Sequence, residues 1–349
     1  MKKEIYLMKT NLFRHIAAVS LALALTASLT ACGSSGASSS AASGSASSGS
    51  ASSGSLPIIG IAQYGEHGSL DNCRTGFLQG LENAGLKEGT DYQLDYQNAG
   101  FDDSIDSQIA QRFSDENAAL MVGIATPSAV ACYNAAEEKN IPVIFTAVTD
   151  PVGAKLDSGN VTGTSDVLPV EGQLQLIRQL QPDAKTIGII YTTSESNSLY
   201  SINVYEELAG KYGFTIDSVG VTSQAEVTQA VDKLLSDGVD CLSNLTDNNV
   251  VGVLSAILEK TNEAGIPVYG SEVEQVKLGC VAGAGLDYVK LGVQTGEMAA
   301  KILKGEAACE NLPYEIIQNY DLYVNSTALK ELNIELPADL ASTAVECAQ

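Results

Sequence analysis

The chain has 349 residues, 45% of them apolar and 17% charged, and its 42 Asp/Glu against 19 Lys/Arg leave a formal net charge of −23. That balance disfavours nucleic acid and anionic membrane surfaces as partners and says nothing specific about a ligand. Seven cysteines form no C-x-x-C pair and the only histidines are His15 and His67, so neither a zinc site nor any other metal or cofactor is expected.

Lys2, Lys3, Lys9 and Arg14 open the chain, an apolar run covers residues 16–29, and Leu29-Thr30-Ala31-Cys32 ends it. The run is short for a spanning helix and stops at small residues, which predicts a cleaved leader. It resembles a bacterial lipoprotein signal peptide over 1–31, with Cys32 lipidated as the first mature residue. An ordinary secretory leader with a chance cysteine is the alternative. Residues 33–55 are only Gly, Ser and Ala, a flexible coil that would hold a domain clear of a membrane. The expectation is an extracytoplasmic, lipid-anchored protein with a tether over 32–55. What remains is long enough for two domains.

From Pro57 short apolar runs alternate with longer amphipathic ones. Strands are predicted at 58–62, 92–96, 119–124 and 141–145, and helices at 70–84, 104–117 and 127–139. The alternation restarts near residue 160. Helices are predicted at 174–180, 196–212, 225–236 and 250–264, and strands at 186–191, 215–221, 239–242 and 266–269. A glycine-bearing strand at 279–285, a helix at 288–303 and a strand-like stretch at 314–324 follow. Asn140-Ile141-Pro142-Val143 and Gly265-Ile266-Pro267-Val268 occupy equivalent places, a weak internal repeat. Two such sets predict an α/β protein of two doubly wound, Rossmann-like lobes, with a ligand cleft at the strand ends. Cys73, Cys132 and Cys241 sit in apolar patterns and read as small buried hydrophobes. Cys309 and Cys347 are available to pair.

The loops after the strands carry the candidate chemistry. Thr126-Pro127-Ser128 reads as an N-cap, a first helical proline and free backbone N–H groups suited to a carboxylate. Asp150, Asp247 and Asp287 are acids at three strand ends, able to hold an ammonium or simply to cap helices and form turns. Glu195, Asn197 and Ser198 form either a capping arrangement or a polar clamp; Asn98 and Asn248 offer orienting hydrogen bonds. Tyr64, Phe145, Tyr191 and Tyr288 are candidate apolar walls. His67 lies beside Glu66 and Asp71 without a nucleophile to pair with. No G-x-S-x-G, P-loop or G-x-G-x-x-G follows a strand, so no enzyme is expected.

Glu66-His67 with Leu70-Asp71, Tyr96-Gln97-Asn98-Ala99, Ile124-Ala125-Thr126-Pro127, the long phrase Phe145 to Ala154, Asn160-Val161-Thr162-Gly163, Glu195-x-Asn197-Ser198, Thr246-Asp247-Asn248 and Leu286-Asp287-Tyr288 occur in one order. In this order they resemble the substrate-binding lipoproteins of ABC importers, the group with tryptophan- and tyrosine-binding members. Gly68 stands where that family places proline, which makes the first loop more flexible. The resemblance spans about 58–337. It implies a type I periplasmic-binding-protein fold: lobe 1 over 56–160 plus 277–312, lobe 2 over 161–276 plus 313–349, and a hinge. It also implies a monomer that captures a small zwitterion, an aromatic L-amino acid, and presents it to a permease with a cytoplasmic ATPase. Tyr64, Glu66, Leu70 and Pro127 join the residues above as ligand-binding candidates. The alternatives are another small solute, or a sensory module that reports to a chemoreceptor or kinase.

Overall fold

The computed structural model describes residues 55–317 and 320–348. The leader, Cys32 and all but the last residue of the tether lie outside the described residues. The first set of elements is β1 (Ile58–Gln63), α1 (Gly68–Asn83), β2 (Gln93–Asn98), α2 (Asp103–Asp115), β3 (Leu120–Ile124), α3 (Thr126–Ala136), β4 (Val143–Thr146) and β5 (Val161–Ser165). The second begins with α4 (Val170–Leu180), β6 (Thr186–Thr192), α5 (Ser196–Leu208), β7 (Thr215–Val221), α6 (Gln224–Asp237) and β8 (Cys241–Ser243). It continues with α7 (Asn248–Gly252), α8 (Leu254–Ala264), β9 (Val268–Glu272), α9 (Val273–Leu278) and β10 (Ala282–Leu286). Then come α10 (Tyr288–Leu303), β11 (Glu315–Ile316), β12 (Asp321–Val324), α11 (Ser326–Glu331), α12 (Ala338–Thr343) and β13 (Val345–Glu346).

The strands form two sheets, ordered β11-β5-β4-β3-β1-β2 and β13-β12-β10-β9-β8-β6-β7. The first is parallel throughout; the second is parallel except where β12 runs against β10. Parallel strands covered by helices on both faces must be apolar along their whole length. β3, Leu-Met-Val-Gly-Ile, is accordingly buried at every position. Each sheet with its helices forms a lobe.

The chain passes between the lobes three times: between β5 and α4, between β10 and α10, and between β11 and β12. These crossings fall later than the sequence pattern suggests. Residues 161–165 complete the first sheet, 277–286 belong with the second, and β11 returns to the first. β5 escapes a hydropathy reading because it is Val-Thr-Gly-Thr-Ser, yet all five residues are buried. Two of its three hydroxyls find partners inside: Thr164 meets Thr295 Oγ1 at 2.7 Å and Thr146 Oγ1 at 3.3 Å, and Ser165 donates to the Thr149 carbonyl at 3.2 Å, while Thr162 Oγ1 is buried without a partner among the described residues. The predicted helix over 250–264 is two helices, α7 and α8, broken at Val253. The strand-like stretch 314–324 is likewise two strands in different sheets.

Helix α10 leaves the second lobe and packs along α1 in the first. Gly76 and Gly80 on α1 face Gly292 and Gly296 on α10, each four residues apart. A Cβ on any of the four would collide with a backbone carbonyl of the other helix: Val289 and Val293 on one side, Cys73 and Phe77 on the other. The two backbones therefore touch, which only glycine permits. Gly80→Ala should lower stability by about 1–3 kcal/mol through overpacking. Gly210→Ala, where a Cβ meets nothing within 4 Å, should change stability far less. Denaturant titration of the two variants checks the contrast.

Candidate functional site

The site begins with helix ends. α1 starts after His67 and α3 after Ala125, and neither start has a side-chain cap. Their first-turn N–H groups are therefore open to a ligand. Thr126 is expected as the cap of α3 and Pro127 as its first residue. The helix instead begins one residue earlier, at Thr126, and Ala125 holds the cap position at φ 80, ψ 158. That region is almost reserved for glycine and costs a non-glycine residue roughly 1–3 kcal/mol. Ala147, after β4, is also left-handed at φ 58. Both alanines line an enclosed chamber between the lobes.

In the second lobe two facing helices, α7 and α9, are capped by acids, while α5 starts without a side-chain cap. Glu272 accepts from Gln275 N–H at 2.8 Å and Glu274 N–H at 2.6 Å at the start of α9. Asp247 caps α7 through Val250 N–H. The polar walls of the enclosed chamber come from His67, Ser69, Asp166 and Tyr288 on the first lobe, and from Asn197, Thr246, Asn248, Glu272 and Gln275 on the second. No Lys or Arg lines it.

Hydrogen-bond directions are fixed by neighbours. Asn248 Nδ2 donates to Glu195 Oε2 at 2.7 Å, so Asn248 Oδ1 is the acceptor facing His67 Nε2 at 3.5 Å. His67 then carries its proton on Nε2, leaving Nδ1 a buried acceptor without a partner. Burial holds this imidazole near pKa 4, hence neutral. Asn197 Nδ2 donates to Glu195 and to the Thr246 carbonyl, which leaves Asn197 Oδ1 buried and unpaired as well. Asp166 accepts from Thr149 Oγ1 at 2.9 Å and Tyr288 Oη at 2.6 Å. Burial raises the Asp166 carboxyl above its ordinary range, and burial pushes Glu272 up to about 7. The chamber thus presents acceptors and carboxylates that want a multi-donor cation.

A second, outer chamber of about 280 Å³ opens beside it, between α2, α3 and the start of α5. Tyr64, Thr126, Pro127 and Glu195 line this one, with Asp103, Asp106 and Ser194. Leu70, Asn197 and Asn248 line the enclosed chamber.

The other candidate residues serve the scaffold. Ser128 is fully buried and donates to Asp106. Ser198 donates to Asp247, whose carboxylate also takes the Thr192 N–H and hydroxyl. With Val250 N–H included, Asp247 has no lone pair to spare. Glu195 is spent in the same way on the amide groups of Asn197, Asn248 and Asn249. Burial and the nearby Asp247 carboxylate raise its pKa. Asp287 caps α10 and Asp150 closes a turn onto Gly153 N–H. Asn98 holds Gly100 N–H, and Glu66 is exposed to solvent. None of these last four lines either chamber. Asp166, Glu272, Ser69, Thr246 and Gln275 do so and are not among the sequence candidates. Asp166 follows the strand that hydropathy misses, and Glu272 caps a helix of only six residues.

Side chains join the lobes across the cleft. Asn72 Nδ2 donates to Glu274 Oε1 at 2.9 Å, and Thr149 meets Thr246 at 3.4 Å. All six cysteines from Cys73 on are buried and unpaired, Cys309 and Cys347 included. Among the described residues no cluster of three or more His, Cys, Asp or Glu is arranged for a metal ion, and no helix is long and apolar enough to cross a membrane.

Residues 58–348 match the family model for ABC transporter substrate binding protein. The chain belongs to that family. It is 39% identical over 288 residues to a tyrosine-binding protein of Clostridioides difficile, covering 80% of this chain and 82% of the relative. It superposes on an ABC domain in complex with L-Trp from Streptococcus pneumonia with TM-score 0.80 at 32% identity, over 84% of this chain and 99% of that one. Against the ligand-free, open structure of a Clostridium difficile substrate binding protein with adhesive properties, identity is higher, 38%, but the TM-score falls to 0.64 over 84% and 100% of the two chains. The hydrogen bonds across the cleft place this chain on the closed side. The architecture is the two-lobed type I periplasmic-binding-protein fold, and the family works outside the cytoplasm.

Glu272 supplies a pH dependence. Its folded pKa of about 7 lies above the ordinary 4.5. The stability its neutral form allows is therefore complete below about 4.5 and is lost as pH rises through 7. The melting temperature of the unliganded protein should fall from pH 5 to 8, and Glu272→Gln should flatten that slope. An unchanged slope in the variant would contradict this assignment.

Proposed function

We propose that the protein is a lipid-anchored receptor, attached through Cys32, that captures an aromatic L-amino acid and hands it to an ABC permease driven by a cytoplasmic ATPase. It works as a monomer, since the two walls of its cleft come from one chain. The observation that carries the reading is the polarity of the enclosed chamber. The first lobe offers two uncapped helix starts, α1 and α3, suited to an α-carboxylate. The chamber also holds two buried carboxylates and two unpaired acceptors, suited to an α-ammonium. A zwitterion satisfies both sets at once.

The tyrosine-binding relative and the L-Trp complex support an aromatic side chain. Leu70, Ala147, Val251 and Tyr288 supply an apolar wall for it. The free space is about 20 Å³, far below the several hundred of an ordinary ligand pocket. The lobes therefore stand closer here than they would around an aromatic ligand, and capture requires them to part and re-close. The crossings at 165–170 and 286–288 are the natural hinges, and the Tyr288–Asp166 hydrogen bond ties the two together.

Thermal shift of the full chain in detergent tests the reading. L-Tyr, L-Trp or L-Phe should raise the midpoint while other amino acids do not. Asp166→Asn and Asn197→Ala should each weaken binding by roughly tenfold or more. A flat response to the aromatic set, with a rise for another solute, would remove the ligand and leave the receptor.

A further inference from the structure

We infer that Phe101 is the latch of the closed cleft, a positioning residue that touches no ligand but seats on Gly252 of the second lobe and slows release from the enclosed chamber. The inference rests on the receptor reading above for what is released, and on the closed arrangement for the contact itself.

Phe101 stands where local sequence rules would not put it. Residues Ala99 to Asp102 form a tight turn, closed by the Asp102 N–H on the Ala99 carbonyl at 3.2 Å. Its two central residues, Gly100 and Phe101, have φ of 62 and 64. Such a turn favours Gly, Asn or Asp at both places, and a bulky residue there is an outlier. The Phe101 N–H donates to the Tyr64 carbonyl at 2.8 Å, which ties the turn to the chain just after β1. Backbone strain of this kind persists where the surroundings require it.

The ring explains the requirement, because it lies between two glycines, one on each lobe. A Cβ on Gly65 would sit 2.0 Å from Phe101 Cε1, so the ring passes directly over the first-lobe backbone. A Cβ on Gly252, the last residue of α7, would sit 3.1 Å from Phe101 Cζ. The ring lies parallel to His67, with centroids 6.4 Å apart and planes within 9°, and meets Tyr64 edge-on at 6.0 Å. His67 in turn faces Asn248, the first residue of the same α7. Both ends of α7 therefore rest on the first lobe, through His67 and Phe101. Phe101 itself lines neither chamber, whereas His67, Asn248 and Val251 line the enclosed one. Parting the lobes must lift the ring off Gly252, so the contact is made only on closing and acts on escape rather than entry.

Release of L-Trp tests the latch. The chain has no tryptophan, so indole fluorescence reports the ligand alone when excess L-Phe chases it from the full chain in detergent. Phe101→Ala should speed release by roughly tenfold and leave association nearly unchanged. Phe101→Tyr keeps the ring on the first lobe but adds an oxygen at Cζ, the atom facing Gly252, and should speed release as well. Gly252→Ala should speed release in the parent and add little in the Phe101→Ala background. Unchanged release in Phe101→Ala or Phe101→Tyr, or additive effects of Phe101→Ala and Gly252→Ala, would overturn the latch. Spin labels on Glu138→Cys and Glu206→Cys, exposed positions on the first and second lobes, read lobe separation without any ligand. The ligand-free parent should populate a shorter distance that both Phe101 variants deplete. A parent lacking that distance, or variants that keep it, would equally overturn the latch. If L-Trp does not bind, the aromatic ligand falls, while the lobe separations still decide the role of Phe101.

Discussion

Two buried carboxylates, Asp166 and Glu272, enter one closed space with no cationic side chain to meet them. Bringing like charges into low dielectric is unfavourable unless a cation or a proton arrives with them. The raised pKa values of both groups state the same fact from the proton's side. At neutral pH a proton or a cation between the two groups therefore favours the closed cleft. Much of the surrounding structure follows from that constraint. Asn248 turns His67 into an acceptor, Glu195 turns the oxygen of Asn197 toward the chamber, and Tyr288 holds Asp166 at a crossing between the lobes.

The asymmetry between the lobes has a simple origin. In both, helices begin at the carboxyl ends of parallel strands, so both present positive helix ends to the cleft. The second lobe caps two of those ends with its own acids, Asp247 on α7 and Glu272 on α9, and leaves α5 without a side-chain cap. The first leaves α1 and α3 uncapped and places alanines with unusual backbone angles beside the chamber. The open helix ends of α1 and α3 thus belong to the first lobe, while acceptors come from both, Asp166 and His67 from the first and Glu272 and Asn197 from the second. Shape then acts on top of charge: α1, which carries one of the donor ends, is locked by its glycines against α10, the helix that follows a crossing. Closing motion is thereby confined to short connecting peptides, since α1 and α10 cannot slide past each other without a backbone clash.

The alternation of apolar runs made most of the two sheets legible, because parallel strands buried on both faces must read as apolar blocks. β5 is the instructive exception. Its Thr and Ser residues are buried all the same, Thr164 and Ser165 through hydrogen bonds to other elements, so hydropathy passes over it and the first crossing is placed too early. Short helices such as α9, α11 and α12 lack the length for a period to register. The same gap hides the chemistry. Asp150, Asp247 and Asp287 stand out at strand ends, but a turn or helix start consumes each of them. Asp166 and Glu272 are inconspicuous because the elements that position them are the ones hydropathy does not detect. The pairing of Thr126 and Pro127 with a cleft, by contrast, was visible from the helix-start signal alone, apart from the one-residue shift of the cap.

The six buried thiols give the fold a further property. All lie in the cores of the two lobes, none is bonded to another, and burial keeps each in its unreactive protonated form. The folded region therefore needs no oxidant to mature after export, unlike small secreted domains that depend on bridges. The thiols also act as silent reporters. Parting of the lobes as rigid bodies leaves them covered, whereas loss of either core exposes them to alkylation. Labelling kinetics would thus separate the working motion of this receptor from its unfolding without any added probe.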